Sequence, residues 1–299
     1  MACGSGIGVP DGTDGPAGDR TAVDSTGDDA RTADSISADG IVDVASADTL
    51  VSTDAPRADA TGDTGSDGGF LDRSRCTAMP DVRGMTTRSA TGRTGMPVPY
   101  LAYAPASYDR TRATTIVIAL HGAGDVASNY FAAVWRANAD ALGFLVVAPD
   151  GSCPAGPGNT WCNDDGNSII AVINDIERCY SVDVHRRIIN GFSAGGIMAY
   201  SIGLQVATSF AGISISAANL GSAEAVAGRR LLPARWTIPV SHFHGLTDTN
   251  FPIATARDGW NRLEAAGHTV YRHEFDGGHT TNAGYARTMY MDLMSAMAP

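Results

Sequence analysis

Three residues of this 299-residue chain have the types and the order that nucleophilic acyl transfer requires. Ser193 lies in Gly191-Phe192-Ser193-Ala194-Gly195, Asp248 in His244-Gly245-Leu246-Thr247-Asp248, and His279 in Gly277-Gly278-His279. A serine hydroxyl is a weak nucleophile near neutral pH. An imidazole that takes its proton, held in the right tautomer by a carboxylate, lets it attack a carbonyl carbon. The charge that develops on the carbonyl oxygen then needs preorganised N–H donors. Ala194, directly after the serine, offers one, and a backbone amide near Ala123 in His121-Gly122-Ala123-Gly124 offers the other. The five-residue glycine–serine pattern alone is a weak signal, since a serine there also serves as a plain helix cap. Its combination with the downstream acid and histidine is specific.

The rival residues are few. Asp276 also precedes His279, but at three residues it is too close in the chain to bond Nδ1 from behind, so Asp248 is preferred. Of seven histidines, His279 alone follows the last predicted strand in a glycine turn; His273 lies within that strand and His268 before it. The candidate substrate contacts are His121, Gly122, Trp161 and Phe192. The His121 imidazole is expected to fix its loop, the function residing in the backbone after it. Phe192 is expected to be packed. Trp161 either stacks on an aromatic acyl group or a sugar, or packs in the core beside the cysteines; both readings stay open.

These groups need elements to position them. Ile188-Ile189 ends a short buried strand and Ile197-Met198-Ala199-Tyr200 opens a helix, so Ser193 sits on a sharp strand-to-helix turn. Val98–Pro105 reads as an early edge strand ending in proline. Thr114–Leu120 is a β-branched run, as in strands buried on both faces, and it leads straight into His121-Gly122. A helix over Asn129–Leu142, stopped by Gly143, precedes a strand over Phe144–Pro149. After a loop at 150–163, Asp164-Asp165 start a helix with Ile169, Ile170, Val172, Ile173 and Ile176 on one stripe. Further strands are predicted over Phe210–Ser216, Ile238–His244 and Thr269–Phe275. Helices are predicted over Ala254–Ala266, closed by Gly267, and Ala283–Met297. Alternating strands and helices imply a mostly parallel sheet covered on both faces. The order serine, acid, histidine is that of the α/β-hydrolases.

Charge divides the chain in two. Residues 1–70 hold fourteen Asp against three Arg, which accounts for the whole net charge of −11; the rest balances eighteen against eighteen. A neutral folded part argues against a nucleic-acid partner. The leader, rich in Asp, Gly, Ala, Thr and Ser, has no aromatic residue before Phe70. It buries too little apolar surface to offset ordering, so 1–72 is expected to be a disordered, extended spacer and 73–299 one catalytic domain. Met1-Ala2-Cys3-Gly4-Ser5 resembles the tail of a bacterial lipoprotein signal, without the apolar segment that precedes it. Cys3 is therefore a candidate lipid anchor, and a secreted or surface-tethered location is expected. The other four cysteines, Cys76, Cys153, Cys162 and Cys179, allow two disulfides in three connectivities. No cofactor or metal is expected: zinc lacks its Cys-x-x-Cys spacing, and the Asp runs lack a calcium loop.

The core from about 74 to 299 resembles the secreted esterases grouped with polyhydroxybutyrate depolymerases, feruloyl esterases and acetyl xylan esterases. The residues that carry the resemblance are His121-Gly122, Gly191-Phe192-Ser193-Ala194-Gly195-Gly196, His244-Gly245-Leu246-Thr247-Asp248 with Pro252, Gly277-Gly278-His279, and the segment from Trp161 through Asp164-Asp165 to Asp175 and Asp183. The resemblance implies a lidless hydrolase with a shallow cleft that acts on esters of polymers or decorated polysaccharides. The acidic leader has no counterpart in it, and no separate substrate-binding module is visible. A monomer acting on an ester substrate is expected. A serine peptidase or acyltransferase, or a non-catalytic binding protein, are the alternatives on the same fold.

Overall fold

The computed structural model describes residues 83–92 and 95–297; the acidic leader, Cys3 and Cys76 lie outside the described residues. Ten strands are described: β1 (Gly84–Thr91), β2 (Pro97–Ala104), β3 (Thr114–Leu120), β4 (Leu145–Pro149), β5 (Cys153–Ala155), β6 (Gly158–Thr160), β7 (Val182–Phe192), β8 (Gly212–Ser216), β9 (Val240–Gly245) and β10 (Val270–Phe275). Eight of them form one sheet in the order β1-β2-β4-β3-β7-β8-β9-β10. The β1–β2 and β2–β4 pairs are antiparallel, and every later neighbour is parallel. β5 and β6 pair as a separate antiparallel hairpin.

The β-branched run of β3 shows why the sheet is central. Ile116, Ile118 and Leu120 face one core cluster, whereas Val117 and Ala119 face the other. Leu145 and Val147 of β4 divide from Val146 and Ala148 in the same way. This two-residue alternation buries both faces. Each fully buried Ile, Leu or Val contributes about 1.5–3 kcal/mol. Helices α3 (Asp165–Cys179), α4 (Ala194–Gln205) and α5 (Leu220–Ala227), with Leu263 of α6 (Ile253–Ala265), cover the first face. The second is covered by α1 (Ala127–Tyr130), a π-helical turn (Phe131–Trp135), α2 (Arg136–Leu142) and α7 (Ala283–Ala296). Along α4, Gly195 through Leu204 are all buried, as befits a helix enclosed by the sheet and its neighbours.

Several expectations need correction. β2 is not the edge strand; β1 lies outside it. β1 escaped notice because Gly-Met-Thr-Thr-Arg-Ser-Ala-Thr carries almost no apolar signal, although its burial alternates. The helix expected from Asn129 starts at Ala127 and contains the π-helical turn, and Gly143 ends it with φ 76° as predicted. The loop at 150–163 holds the β5–β6 hairpin, and α5 was not anticipated. Cys153 and Cys162 form a disulfide with Cα atoms 5.4 Å apart. Cys179 is also disulfide-bonded.

Candidate active site

The site is built on the turn between β7 and α4. Ser193 has φ 54° and ψ −120°, a conformation that strains a non-glycine residue by about 1–3 kcal/mol. Two glycines make the turn possible. A Cβ on Gly191 would lie 2.1 Å from the Gly195 carbonyl oxygen, and one on Gly195 would lie 2.2 Å from that of Leu120. The Ser193 N–H donates to the Ser216 carbonyl at 3.0 Å, which ties the turn to β8. One residue before Gly191, the buried Asn190 accepts hydrogen bonds from the Tyr130 hydroxyl (2.7 Å) and Trp135 Nε1 (3.0 Å). Its amide nitrogen donates to Ser214 Oγ at 2.9 Å. The π-helical turn thus serves to aim Trp135 at the strand that carries the serine, a use in keeping with such turns near functional sites.

His279 and Asp248 meet Ser193 as the spacing predicted. The Ser193 hydroxyl donates to His279 Nε2 at 2.8 Å, and His279 Nδ1–H donates to Asp248 Oδ2 at 2.8 Å. Asp248 is 4% exposed, and its other oxygen accepts the Asn250 and Phe251 N–H groups, each at 2.9 Å. The carboxylate is thereby fixed in rotation before the imidazole arrives. Asp276 is exposed and forms no hydrogen bond among the described residues, so the geometry favours Asp248.

Ala194 and Ala123, the two expected N–H donors, both lie on segments that adjoin the serine turn. Ala194 opens α4, where the first amides have no partner within the helix. Gly122 packs against the serine turn: a Cβ there would lie 2.9 Å from the Phe192 ring and 3.5 Å from Ser193 Cβ. Ala123 follows it and is exposed. Among the described residues neither the Ala194 nor the Ala123 N–H donates a hydrogen bond.

His121 and Trp161 are buried, and their ring nitrogens bond within the protein. His121 is fully buried; its Nε2 accepts the Gly151 N–H at 3.1 Å, which leaves Nδ1–H to donate to the Gly122 carbonyl at 2.8 Å. The imidazole therefore fixes the loop, as the sequence reading favoured, and its place among the substrate contacts is withdrawn. Trp161 is 2% exposed and donates through Nε1 to the His121 carbonyl at 2.8 Å, so it is a core residue and not a stacking platform. Phe192 is half-buried, its ring 5.1 Å from the His279 ring.

The structure adds residues that the sequence reading passed over. Phe251 sits 5.7 Å from His279. His242 and His244, two apart on β9 and so on one face, form a buried relay. Trp260 Nε1–H donates to His242 Nδ1 (2.8 Å), His242 Nε2–H to His244 Nδ1 (3.2 Å), and His244 Nε2–H to the Phe251 carbonyl (2.6 Å). Burial, and then the neighbouring His244, hold His242 well below the usual imidazole range; burial likewise lowers His244. Two neutral rings therefore brace the loop that presents Asp248. The pattern Ser241-His242-Phe243-His244 was the available signal, because same-face polar residues in a buried strand need partners.

Residues 163–291 match the Phospholipase/Carboxylesterase family. A bifunctional acetylxylan esterase/xylanase from Neocallimastix patriciarum is 28% identical over 136 residues, 44% of this chain and 19% of that protein. The chain thus spans about a fifth of that relative's length. A ferulic acid esterase from Anaeromyces mucronatus, solved in complex with ferulic acid, shares the fold with a TM-score of 0.57 at 16% identity, covering 75% of this chain and 96% of that one. The acylaminoacyl peptidase of Pyrococcus horikoshii does so with a TM-score of 0.54 at 13% identity, covering 72% and 42%. The solved structures show that the chain has the α/β-hydrolase fold, and the family match spans the segment that holds Ser193, Asp248 and His279.

Proposed function

We propose that the protein is a serine carboxylic ester hydrolase that works through an acyl-serine intermediate. The observation that carries this reading is the unbroken path from Ser193 to His279 to Asp248, both steps at 2.8 Å, beside two unengaged backbone amides. Ser193 Oγ attacks the ester carbonyl carbon while its proton passes to His279 Nε2. Asp248 accepts the Nδ1–H and stabilises the imidazolium. The Ala194 and Ala123 amides receive the oxyanion, each worth on the order of a hundredfold or more in rate. Collapse expels the alcohol, which takes the proton from His279. Water then repeats the sequence on the acyl-serine and releases the acid.

The substrate class we propose is an ester on a polyester or a polysaccharide: hydroxyalkanoate, feruloyl or acetyl. Phe192 and Phe251, which flank His279, are the apolar surfaces that such a group would meet. A secreted or surface-tethered location fits the disulfides, which persist in oxidising compartments, with Cys3 as the tether. Monomeric action on the ester is part of the same proposal.

The test is hydrolysis of p-nitrophenyl esters together with labelling by a fluorophosphonate probe. Ser193→Ala abolishes both, with kcat falling about a millionfold. Wild-type protein that hydrolyses amides and not esters makes it a peptidase on the same fold. Wild-type protein that neither turns over esters nor takes the label at Ser193 refutes the enzymatic reading. A panel of acetylated xylan, feruloyl and polyester substrates then ranks the proposed acyl groups.

A further inference from the structure

The segment between β4 and α3 grips the loop that carries Ala123 at every turn of its path. At its start, the Gly151 N–H bonds His121 Nε2, and Asp150 accepts the Ala127 N–H at 2.6 Å. In the middle, Asn159 forms a two-bond bridge with the loop: the Gly124 N–H donates to the Asn159 carbonyl at 2.9 Å, and the Asn159 N–H to the Asp125 carbonyl at 3.0 Å. At its end, Trp161 Nε1–H bonds the His121 carbonyl, and the Trp161 and His121 rings lie 5.0 Å apart. The contact has no slack, since a Cβ on Gly158 would lie 2.5 Å from the Asp125 carbonyl oxygen and 2.6 Å from that of Gly124.

The gripping segment is itself closed at both ends. The Cys153–Cys162 disulfide joins the first residue of β5 to the segment two residues beyond the end of β6, at the base of the hairpin. The buried Asp165 carboxylate accepts the Ser152 N–H at 3.0 Å and the Cys162 N–H at 2.8 Å, tying both flanks of the hairpin to the start of α3. A short hairpin standing alone is at best marginally stable, so these two closures give it a fixed shape. Meanwhile Gly124 has φ 79°, in the left-handed region, and Ala123 before it has no hydrogen bond of its own among the described residues. The position of the Ala123 amide is therefore set by what holds Gly122, Gly124 and Asp125.

We propose that the disulfide-closed hairpin of β5 and β6 is a positioning element for the second oxyanion donor: it holds the Ala123 N–H at the distance from Ser193 that a developing oxyanion requires. None of its residues forms a hydrogen bond with Ser193, Asp248 or His279, so it acts through the loop alone. Its effect belongs to the steps in which the oxyanion forms. Removing an oxyanion donor costs up to about a hundred- to a thousandfold in kcat, which is the ceiling for this element. The inference rests on the esterase reading; the wild-type rate tests that reading, and the ratio of variant to wild type tests this one.

Two variants separate the hairpin's role from a general loss of structure. Gly158→Ala keeps the disulfide and drives a methyl group into the Asp125 and Gly124 carbonyls. The double change Cys153→Ala with Cys162→Ala opens the closure and leaves the surface as it is. In both, kcat on p-nitrophenyl acetate falls at least tenfold while KM stays within about twofold, since ground-state binding does not use the oxyanion donor. Affinity for phenylboronic acid, whose tetrahedral serine adduct places an oxygen at the oxyanion position, falls in step with kcat. Amide hydrogen exchange at Gly124 accelerates as its bond to Asn159 is lost, a readout independent of activity. Folded Gly158→Ala protein that keeps the wild-type kcat and boronate affinity overturns the proposal. So does unchanged protection at Gly124 in both variants.

Discussion

Replacement of Asp248 by Asn is the most discriminating perturbation of the site, because the surroundings of this side chain dictate how the amide will sit. Oδ1 of Asp248 accepts two backbone N–H groups at 2.9 Å. In the variant only the amide oxygen is able to take that place, since an NH2 group there would face two donors with no acceptor between them. The NH2 is then forced to the Oδ2 position, 2.8 Å from His279 Nδ1. The imidazole answers by presenting Nδ1 as an acceptor, so its proton moves to Nε2 and points at the Ser193 hydroxyl. A ring in that tautomer has no lone pair with which to take the serine proton. Restoring the working tautomer costs the charge-assisted bond and sets one donor against another. The outcome expected from this wrong-tautomer mechanism is about a ten-thousandfold loss in kcat, or roughly 5 kcal/mol. The change is nearly isosteric, so thermal stability and KM are expected to change little. The assay is kcat for p-nitrophenyl acetate at pH 7.5, with the rate of fluorophosphonate labelling as a second measure of the activated hydroxyl. A loss below a hundredfold would refute the tautomer argument. A larger loss from Asp276→Asn would assign the acid elsewhere.

Three further outcomes follow from the supports of the site. Gly195→Ala places a methyl 2.2 Å from the Leu120 carbonyl oxygen, and the backbone of β3 offers no flexible side chain to yield. The expected destabilisation exceeds about 4 kcal/mol, and a melting temperature unchanged from wild type would contradict it. Asn190→Ala strips the acceptor from the Tyr130 hydroxyl and the Trp135 indole, both buried; at about 1–3 kcal/mol for each orphaned donor, urea denaturation should show a loss of roughly 2–6 kcal/mol. His242, His244 and His268 all have folded pKa values below the ordinary imidazole value, with burial as the largest cause in each. The unfolded chain takes up these protons below about pH 6.5 and the folded chain does not, so stability is full above that pH. It declines as pH falls toward the folded values, by about 1.4 kcal/mol per pH unit for each ring that stays neutral. Denaturation curves between pH 7.5 and pH 5 that superimpose would show that the rings are not held neutral.

The convergence of Ser193, Asp248 and His279 was legible in the sequence because chemistry limits which residue types could serve together and the fold limits their order. Ser193 announces itself through glycines that sterics demand on either side, and His279 through its place after the last strand. The parallel strands were legible because their residues are buried on both faces and therefore almost uniformly apolar, as in Thr114–Leu120. β1 was not, because an edge strand with one exposed face and a threonine-rich sequence carries no such signature. Trp161 could not be assigned from sequence because an indole serves equally well as a ligand platform or as a buried donor; what decided it was the His121 carbonyl, forty residues away in the chain.

What the sequence hid most completely is how the two mobile-looking parts of the site are held. The Asp248 loop and the Ala123 loop both leave the ends of strands, and the local bonds within them, such as those from Asn250 and Phe251 N–H to Asp248, do not by themselves anchor them to the rest of the fold. Each is braced from outside: buried His242 and His244 stand behind the Asp248 loop, and the hairpin, tied down by buried Asp165 and the Cys153–Cys162 disulfide, stands behind the Ala123 loop. Burial is what makes these braces effective, because an imidazole or carboxylate removed from water gains little by letting go of its partner. It also raises their cost, visible in the lowered pKa of both histidines and the raised pKa of Asp165, where desolvation outweighs the hydrogen bonds from Ser152 and Cys162. Preorganisation of this kind is bought before the substrate arrives, so the groups that touch the reacting atoms need no rearrangement when charge develops. The division of labour predicts different signatures for damage to the two sides: weakening the histidine relay disturbs proton transfer and so the pH profile, whereas weakening the hairpin lowers oxyanion stabilisation at every pH.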